Sequence, residues 1–355
     1  MNPNLFTPLQ LGSLLLPNRI VMAPLTRCRA EGDHVPTAIM AQYYAQRASA
    51  GLIIAEATMI LPGNSAFISE PGIYSAEQVQ AWKRVTDRVH QAGGRIFLQL
   101  WHGGRACHPA MNQGRETVAP SAIRIEGEVH TPVGKAPHVT PRALKLEEIP
   151  QIIEGFRLAA VNAGVAGFDG VEVHAANGYL IDEFLRDGSN QRTDVYGGSV
   201  ENRMRLLLET VDRVSSVFGA GRVGVRISPL NSYNSMRDSD PLGLTRAVAR
   251  ELSKKKIAYL HVMRGDFAGI QKGAVLESAR EAFEGVLLGN MGFTADDARE
   301  ALARGALDAV AFGSMYISNP DLVDRIRLGR SLTSPDPSTF YTPGPRGYTD
   351  YAPSA

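Results

Sequence analysis

The sequence predicts an α/β fold of the (β/α)8 TIM-barrel type, one domain over residues 1–355, and three observations carry that reading. Eight short apolar runs alternate with stretches of helical periodicity, the order that strand–helix units take around a parallel sheet. A chain of 355 residues, 44% of them hydrophobic, has the length and apolar content to close eight such units around one core. Polar side chains fall at the C-terminal ends of several runs, Thr26, Gln99, His174 and Arg226 among them, and that end of a barrel is where its working loops gather.

The chain opens with Leu9-Gln10-Leu11-Gly12-Ser13-Leu14, whose alternation and Gly-Ser break predict a small hairpin ahead of the barrel. Strands are expected at 20–22, 52–55, 96–100, 170–174, 223–227, 259–262, 286–288 and 309–312. Helical patterns follow most of them, for instance 76–92, 200–218, 242–254 and 295–303. The last has Thr294 as N-cap and Asp297 three residues on. A long insert at 103–145, rich in Gly, Pro and His, follows the third strand and is expected to hang over the working face. The tail, 331–355, is Pro-rich yet carries Phe340, Tyr341, Tyr348 and Tyr351, which suits a segment packed back onto the barrel; a disordered tail is the alternative.

Lys and Arg number 37 against 36 Asp and Glu, a formal charge of +1, so no global field draws the chain to nucleic acid or an anionic membrane. Two cysteines, Cys28 and Cys107, are too few for a disulfide framework, an iron–sulfur cluster or a structural zinc site, which suits a reducing cytoplasm. The N-terminal Met1-Asn2-Pro3-Asn4-Leu5-Phe6-Thr7-Pro8 has neither the basic nor the apolar region of a signal peptide, and no apolar run reaches membrane-spanning length. A soluble cytoplasmic protein without metal, monomeric or homodimeric, is expected.

The most informative motif is Gly170-Val171-Glu172-Val173-His174-Ala175-Ala176-Asn177-Gly178-Tyr179-Leu180. His174 and the Asn177 amide can both donate to a single oxygen, and Tyr179 offers a phenol that is protonated at neutral pH. Two donors and an acid suit reduction of a polarised double bond. Each residue also has a plainer reading: a structural strand-end histidine, an Asn-Gly turn and a packed tyrosine. Gly219-Ala220-Gly221-Arg222-Val223-Gly224 matches a dinucleotide fingerprint literally, but the helix precedes it and the strand follows, the reverse of what a Rossmann unit needs. Gly289-Asn290-Met291-Gly292-Phe293-Thr294 after the seventh strand and Gly313-Ser314 after the eighth occupy the place where barrels hold phosphate, though such glycines also serve as plain turns. A Gln and an Arg inside strand ends need partners, and a flat heterocycle with acceptors and an imide would satisfy Gln99 and Arg226.

Taken together, these segments resemble the Old Yellow Enzyme family of FMN-dependent ene-reductases. The resemblance runs nearly the whole length. It includes Asn18-Arg19-Ile20-Val21-Met22-Ala23-Pro24-Leu25-Thr26-Arg27, Gln99-Leu100-Trp101-His102, the His174 motif, Arg186-Asp187-Gly188-Ser189-Asn190-Gln191-Arg192-Thr193-Asp194, Tyr196-Gly197-Gly198-Ser199-Val200-Glu201-Asn202-Arg203 and Gly347-Tyr348-Thr349-Asp350-Tyr351. It implies that Ala23, Pro24, Leu25 and Thr26 line the flavin, that Ala57 and Gln99 contact its ring, and that Arg226 lies beside N1 and the C2 carbonyl. It places Gly289, Asn290, Gly313 and Ser314 at the phosphate, and His174, Asn177, Trp101 and Tyr351 against substrate. Where many relatives carry Arg after the Gly of the eighth-strand motif, this chain has Ser314, so a guanidinium clamp is missing; Arg264 is a candidate substitute. Thr26 occupies the position where one branch of the family has a redox-tuning cysteine.

The implied activity is ping-pong reduction of α,β-unsaturated carbonyl compounds and related activated alkenes by NADPH or NADH, with Tyr179 as proton donor. Alternatives are a flavin reductase for nitro compounds, nitrate esters or quinones, and, from another class, a flavin-free barrel lyase or a non-catalytic binding barrel.

Overall fold

The computed structural model describes residues 4–352. Eight parallel strands close a barrel: β1 (Ile20–Met22), β2 (Leu52–Met59), β3 (Ile96–Trp101), β4 (Gly170–Ala175), β5 (Val223–Ile227), β6 (Tyr259–Met263), β7 (Val286–Asn290) and β8 (Ala309–Phe312), with β8 pairing back onto β1. The strands are buried along almost their whole length because helices cover the outer face. The outer layer includes α1 (Ala38–Ala45), α2 (Ala76–Gln91), α3 (Ile149–Val165), α4 (Leu180–Leu185), α5 (Val200–Phe218), α6 (Pro241–Lys254), α7 (Val275–Ala282), α8 (Ala295–Ala303), α9 (Ser314–Ser318) and α10 (Leu322–Leu328). Caps mark the predicted helix starts: Ser199 accepts from the N–H of Asn202, Asp240 from that of Gly243 and Thr294 from that of Asp297.

The barrel is stoppered at its N-terminal end. Leu9–Leu11 pairs antiparallel with Leu14–Leu16, and Leu9, Leu11 and Leu16 join Val21, Leu52, Phe97, Tyr259 and Ala309 in one apolar cluster. Gly12 is obligatory there, since a Cβ would lie 1.9 Å from the Gly221 carbonyl oxygen and its φ is +54°. The literal glycine fingerprint ending at Gly224 is accordingly a short turn and the start of β5, abutting this stopper.

Two strands run two or more residues further than the sequence suggests. β2 continues to Met59 through a break in register between Ala55 and Thr58, where buried Glu56 accepts from the Tyr44 hydroxyl and the Arg27 N–H. Partners from other elements thus carry the strand across a charged residue that looks like its end. β7 extends through Gly289 to Asn290 because the glycine is needed for packing: a Cβ would meet Leu307 at 2.4 Å and the Phe293 ring at 3.1 Å.

Residues 103–145 are not structureless. They hold two short 3-10 turns, a hairpin of Glu128–Thr131 with Gly134–Pro137, and the strand pair Val118–Ala119 with Arg142–Ala143. Arg105 ties the insert to the β5 loop through the carbonyls of Asn234 and Ser235. The tail returns to the barrel: Tyr348 is fully buried and stacks on Tyr43 at 4.0 Å, while Arg27 and Arg29 both donate to the Phe340 carbonyl. Residues 1–3 and 353–355, the extremes of the N-terminal segment and tail discussed above, lie outside the described residues.

Candidate active site

A cavity of about 720 Å³ opens at the C-terminal ends of the strands, within the range of small-molecule and cofactor clefts. β1 and its loop bring Ala23, Pro24, Leu25 and Thr26 to the wall, β2 brings Ala57 and β3 brings Gln99. His174, Asn177 and Tyr179 line it from β4, Arg226 from β5, Asn290 from β7, and Gly313 and Ser314 from the loop after β8.

The three residues of the β4 motif are held in definite chemical states. Burial depresses the His174 pKa well below its usual value, helped by Arg226, so the ring is neutral. Its Nδ1 accepts from the Ala176 N–H at 3.2 Å, which assigns the remaining proton to Nε2. Asn177 sits at φ +58°, with its N–H on the Ser228 hydroxyl at 2.7 Å and its carbonyl accepting from Asn234 at 3.0 Å. Its side-chain oxygen accepts from Asn231 at 2.8 Å, which leaves the amide NH2 as the group offered to the cavity. Tyr179 stands edge-on between Trp101 and His174, at 5.1 and 5.2 Å, and burial pushes its pKa well above 10. Two neutral donors and one protonated phenol therefore face the same space.

The opposite wall is cationic. Arg226 is nearly buried, donates from Nη2 to Asn290 Oδ1 at 2.8 Å, and leaves its Nε buried without a partner. The Asn290 amide in turn donates to the Ala311 carbonyl at 2.7 Å. Gln99 gives its NH2 to Glu172 at 2.7 Å, so its carbonyl oxygen is the free end. An unpartnered guanidinium N–H in a buried wall is costly unless a ligand acceptor meets it. Donors at Arg226 and an acceptor at Gln99 fit the N1, C2 carbonyl and N3–H edge of an isoalloxazine.

At the far end, Met291 and Gly292 both adopt positive φ, +80° and +68°, and Ser314 is exposed at the start of α9. Arg264 is not on the cavity wall. It donates to the Met291 and Gly292 carbonyls at 2.9 and 2.6 Å and stacks over the Phe293 ring at 3.8 Å, holding the turn from behind. Among the described residues no three His, Cys, Asp or Glu groups come together as metal ligands; Cys28 and Cys107 are free and buried.

Three expected residues are not brought to the cavity. Trp101 is fully buried, packed edge-on against Tyr179, and acts as its backing rather than as part of the cavity wall. Tyr351 lies beyond the Tyr348 anchor, where its hydroxyl accepts from the Asp336 N–H; the tail contributes Phe340 and Tyr341 to the wall instead. Gly289 lies inside β7, below the Met291-Gly292 turn that lines the cavity. Conversely, Phe67, Tyr233 and Phe267 line the mouth from the β2, β5 and β6 loops. The exposure of Tyr233 and Phe267, 46% and 59%, is unusual for such side chains, but no periodicity marks loop aromatics in sequence. Asn231 and Ser228 were equally hidden: each acts on Asn177 from more than fifty positions away.

A model described as the NADH:flavin oxidoreductase / NADH oxidase family matches residues 4–333. A probable flavin mononucleotide-dependent alkene reductase of Leishmania infantum is 51% identical over 352 residues, 97% of this chain and 96% of that protein. 12-oxophytodienoate reductase 7 of Oryza sativa subsp. japonica is 42% identical over 98% of this chain and 94% of its own. Among solved structures, morphinone reductase superposes with a TM-score of 0.95 at 48% identity, covering 99% of this chain and 96% of the other. An old yellow enzyme homologue from Zymomonas mobilis gives 0.96 at 46% identity over 99% of both chains. The chain thus belongs to the NADH:flavin oxidoreductase / NADH oxidase family, within the Old Yellow Enzyme group that its motifs resemble.

Proposed function

We propose that the protein is an FMN-dependent ene-reductase that uses NAD(P)H to reduce the activated C=C bond of α,β-unsaturated carbonyl compounds and related alkenes. FMN, held by Arg226, Gln99 and the β1-loop residues, would supply the hydride transfer between nicotinamide and the substrate β-carbon, so donor and alkene would use one cavity in turn. The observation that carries the reading is the paired orientation of His174 and Asn177. The acceptor atom of each is occupied by a protein donor, at 3.2 and 2.8 Å, so both present N–H to the cavity. Aimed at one carbonyl oxygen, they stabilise the negative charge that grows there as the β-carbon receives hydride. Tyr179, kept protonated by burial, is the group suited to protonate the α-carbon.

Pro24, Leu25 and Ala57 supply apolar contacts for the flavin ring, and Thr26 a hydroxyl at its rim. Arg226 and Gln99 hold the pyrimidine edge, and Asn290 keeps Arg226 in place. Gly313, Ser314 and the Met291-Gly292 turn receive the phosphate. Two buried free thiols, a formal charge of +1 and no described helix long and apolar enough to cross a membrane support a cytoplasmic protein, working as monomer or homodimer.

The test is anaerobic turnover of purified protein with NADH or NADPH and 2-cyclohexenone. A flavin absorbance band that bleaches with nicotinamide and returns with the enone supports the proposal. A band that returns only with nitro compounds or quinones favours the flavin reductase reading, and protein that takes up no flavin favours a lyase or binding barrel.

A further inference from the structure

Beneath the cavity floor, the barrel interior holds a buried carboxylate that the mechanism above does not use. Glu172 is fully buried on β4, two residues before His174 on the same inward face, and lies opposite Gln99 in register with β3. Both of its oxygens accept: Oε1 from Gln99 Nε2 at 2.7 Å and Oε2 from His261 Nδ1 at 2.9 Å. Burial lowers the His261 pKa, so the ring is neutral and its Nδ1 proton is the one shared with Glu172. Tyr259 flanks the carboxylate from the same strand as His261, and Gly224 makes room for that ring: a Cβ there would come within 2.1 Å of it.

Glu172 and Arg226 are thus two buried groups of opposite charge on adjacent strands of the barrel. Arg226 pairs with His174 on one side and with His261 on the other in strand register, and Glu172 is the carboxylate acting on it. Charges buried without compensation are costly, and a barrel interior of mostly apolar side chains screens them weakly.

We propose that Glu172 is a positioning residue for the flavin site, which fixes the Gln99 amide with its carbonyl toward the cavity and balances the charge of Arg226. The inference rests on the FMN reading above. An unanchored Gln99 could turn either end to the cavity; tied to a carboxylate, which only accepts, it must offer its oxygen there and so selects a ligand N–H. The charge has a separate consequence. Reduction adds negative charge to the flavin beside Arg226, and part of that guanidinium's field is already cancelled by Glu172. Neutralising Glu172 leaves Arg226 uncompensated and shifts the flavin equilibrium toward the reduced form.

The test is the midpoint potential of the holoenzyme, measured by equilibration with a reference dye, together with FMN affinity from fluorescence titration of the apoprotein. Glu172→Gln keeps the shape and removes the charge. The expected result is at least a tenfold shift in favour of reduced flavin, about 30 mV more positive for a two-electron couple. Glu172→Asp, which keeps the charge, should bring the potential back toward the wild-type value. An unchanged potential in Glu172→Gln overturns the proposal, whatever happens to FMN affinity or melting temperature, because a purely packing role moves only those. Should Glu172→Gln yield no folded holoenzyme, Glu172→Leu, which also removes the charge and the bonds to Gln99 and His261, carries the same test, and an unchanged potential overturns the proposal. Wild-type protein that binds no FMN would refute the cofactor reading instead.

Discussion

Removing the His174 side chain is the sharpest test of the oxyanion arrangement. The ring is neutral, its Nδ1 is committed to the Ala176 N–H, and only Nε2–H is left for a substrate oxygen. Loss of one donor of this kind costs about 2.7–4 kcal/mol in the transition state. Asn177, still oriented by Asn231, remains as the second donor, so His174→Ala should slow hydride transfer to an enone by roughly 100- to 1000-fold rather than abolish it. The assay is anaerobic stopped flow: protein reduced with one equivalent of nicotinamide is mixed with 2-cyclohexenone and flavin reoxidation is followed by absorbance. His174→Asn, which restores an amide donor, should recover part of the rate. Because His174 is held neutral far into acid and Tyr179 protonated far into base, this half-reaction should show no titration from either between their usual values of about 6.5 and 10. A His174→Ala protein with its full complement of FMN that reoxidises within about threefold of wild type, far short of the loss expected for a missing donor, would refute the reasoning.

Further outcomes follow from the same geometry. Tyr179→Phe should leave reduction of the flavin by NAD(P)H near wild type and slow enone reduction, which stopped-flow measurement of the two half-reactions reads separately; equal slowing of both would show that the ring only packs between Trp101 and His174. Ser314→Arg supplies a charge-assisted bond worth roughly 1.5–3 kcal/mol to the phosphate, from an exposed position with room for the longer chain. It should lower the FMN dissociation constant about 10- to 150-fold, and an unchanged constant would mean the phosphate is already neutralised by other groups. Glu183 is buried with Oε2 unpartnered, and burial raises its pKa to about 8. The folded state thus binds a proton that the unfolded chain releases near 4.5, so stability falls as pH rises from there through about 8, by up to about 1.4 kcal/mol per pH unit. Glu183→Gln should flatten melting temperature across that window and raise it at pH 8, and a pH dependence identical to wild type would exclude Glu183 as its source.

The barrel and the β4 motif were legible in the sequence because both depend on local order. Strand and helix periods recur within a few residues, and the β-branched run ending in His174-Ala175-Ala176-Asn177-Gly178-Tyr179 carries its donors and acid on one short segment. Composition bounded the rest: a balanced charge, two thiols and no long apolar run. The reach of β2 past Glu56 was not legible, because Tyr44 and Arg27 satisfy that carboxylate from other elements. The same reason hid the direction in which the donors point. Asn177 is aimed by Asn231, Gln99 by Glu172 and Arg226 by Asn290, each across a strand boundary, and a hydrogen bond between distant residues leaves no period in sequence. The tail shows the difference most plainly: its aromatic content suggested that it packs, but that Tyr341, and not Tyr351, reaches the cavity follows from tertiary contacts, among them the Arg27 and Arg29 bonds to the Phe340 carbonyl and the Tyr348 stack on Tyr43. Local periodicity thus determined which elements form, whereas the chemical state and orientation of the groups that face the cavity were decided by tertiary contacts, since burial and hydrogen-bond partners are properties of the closed barrel.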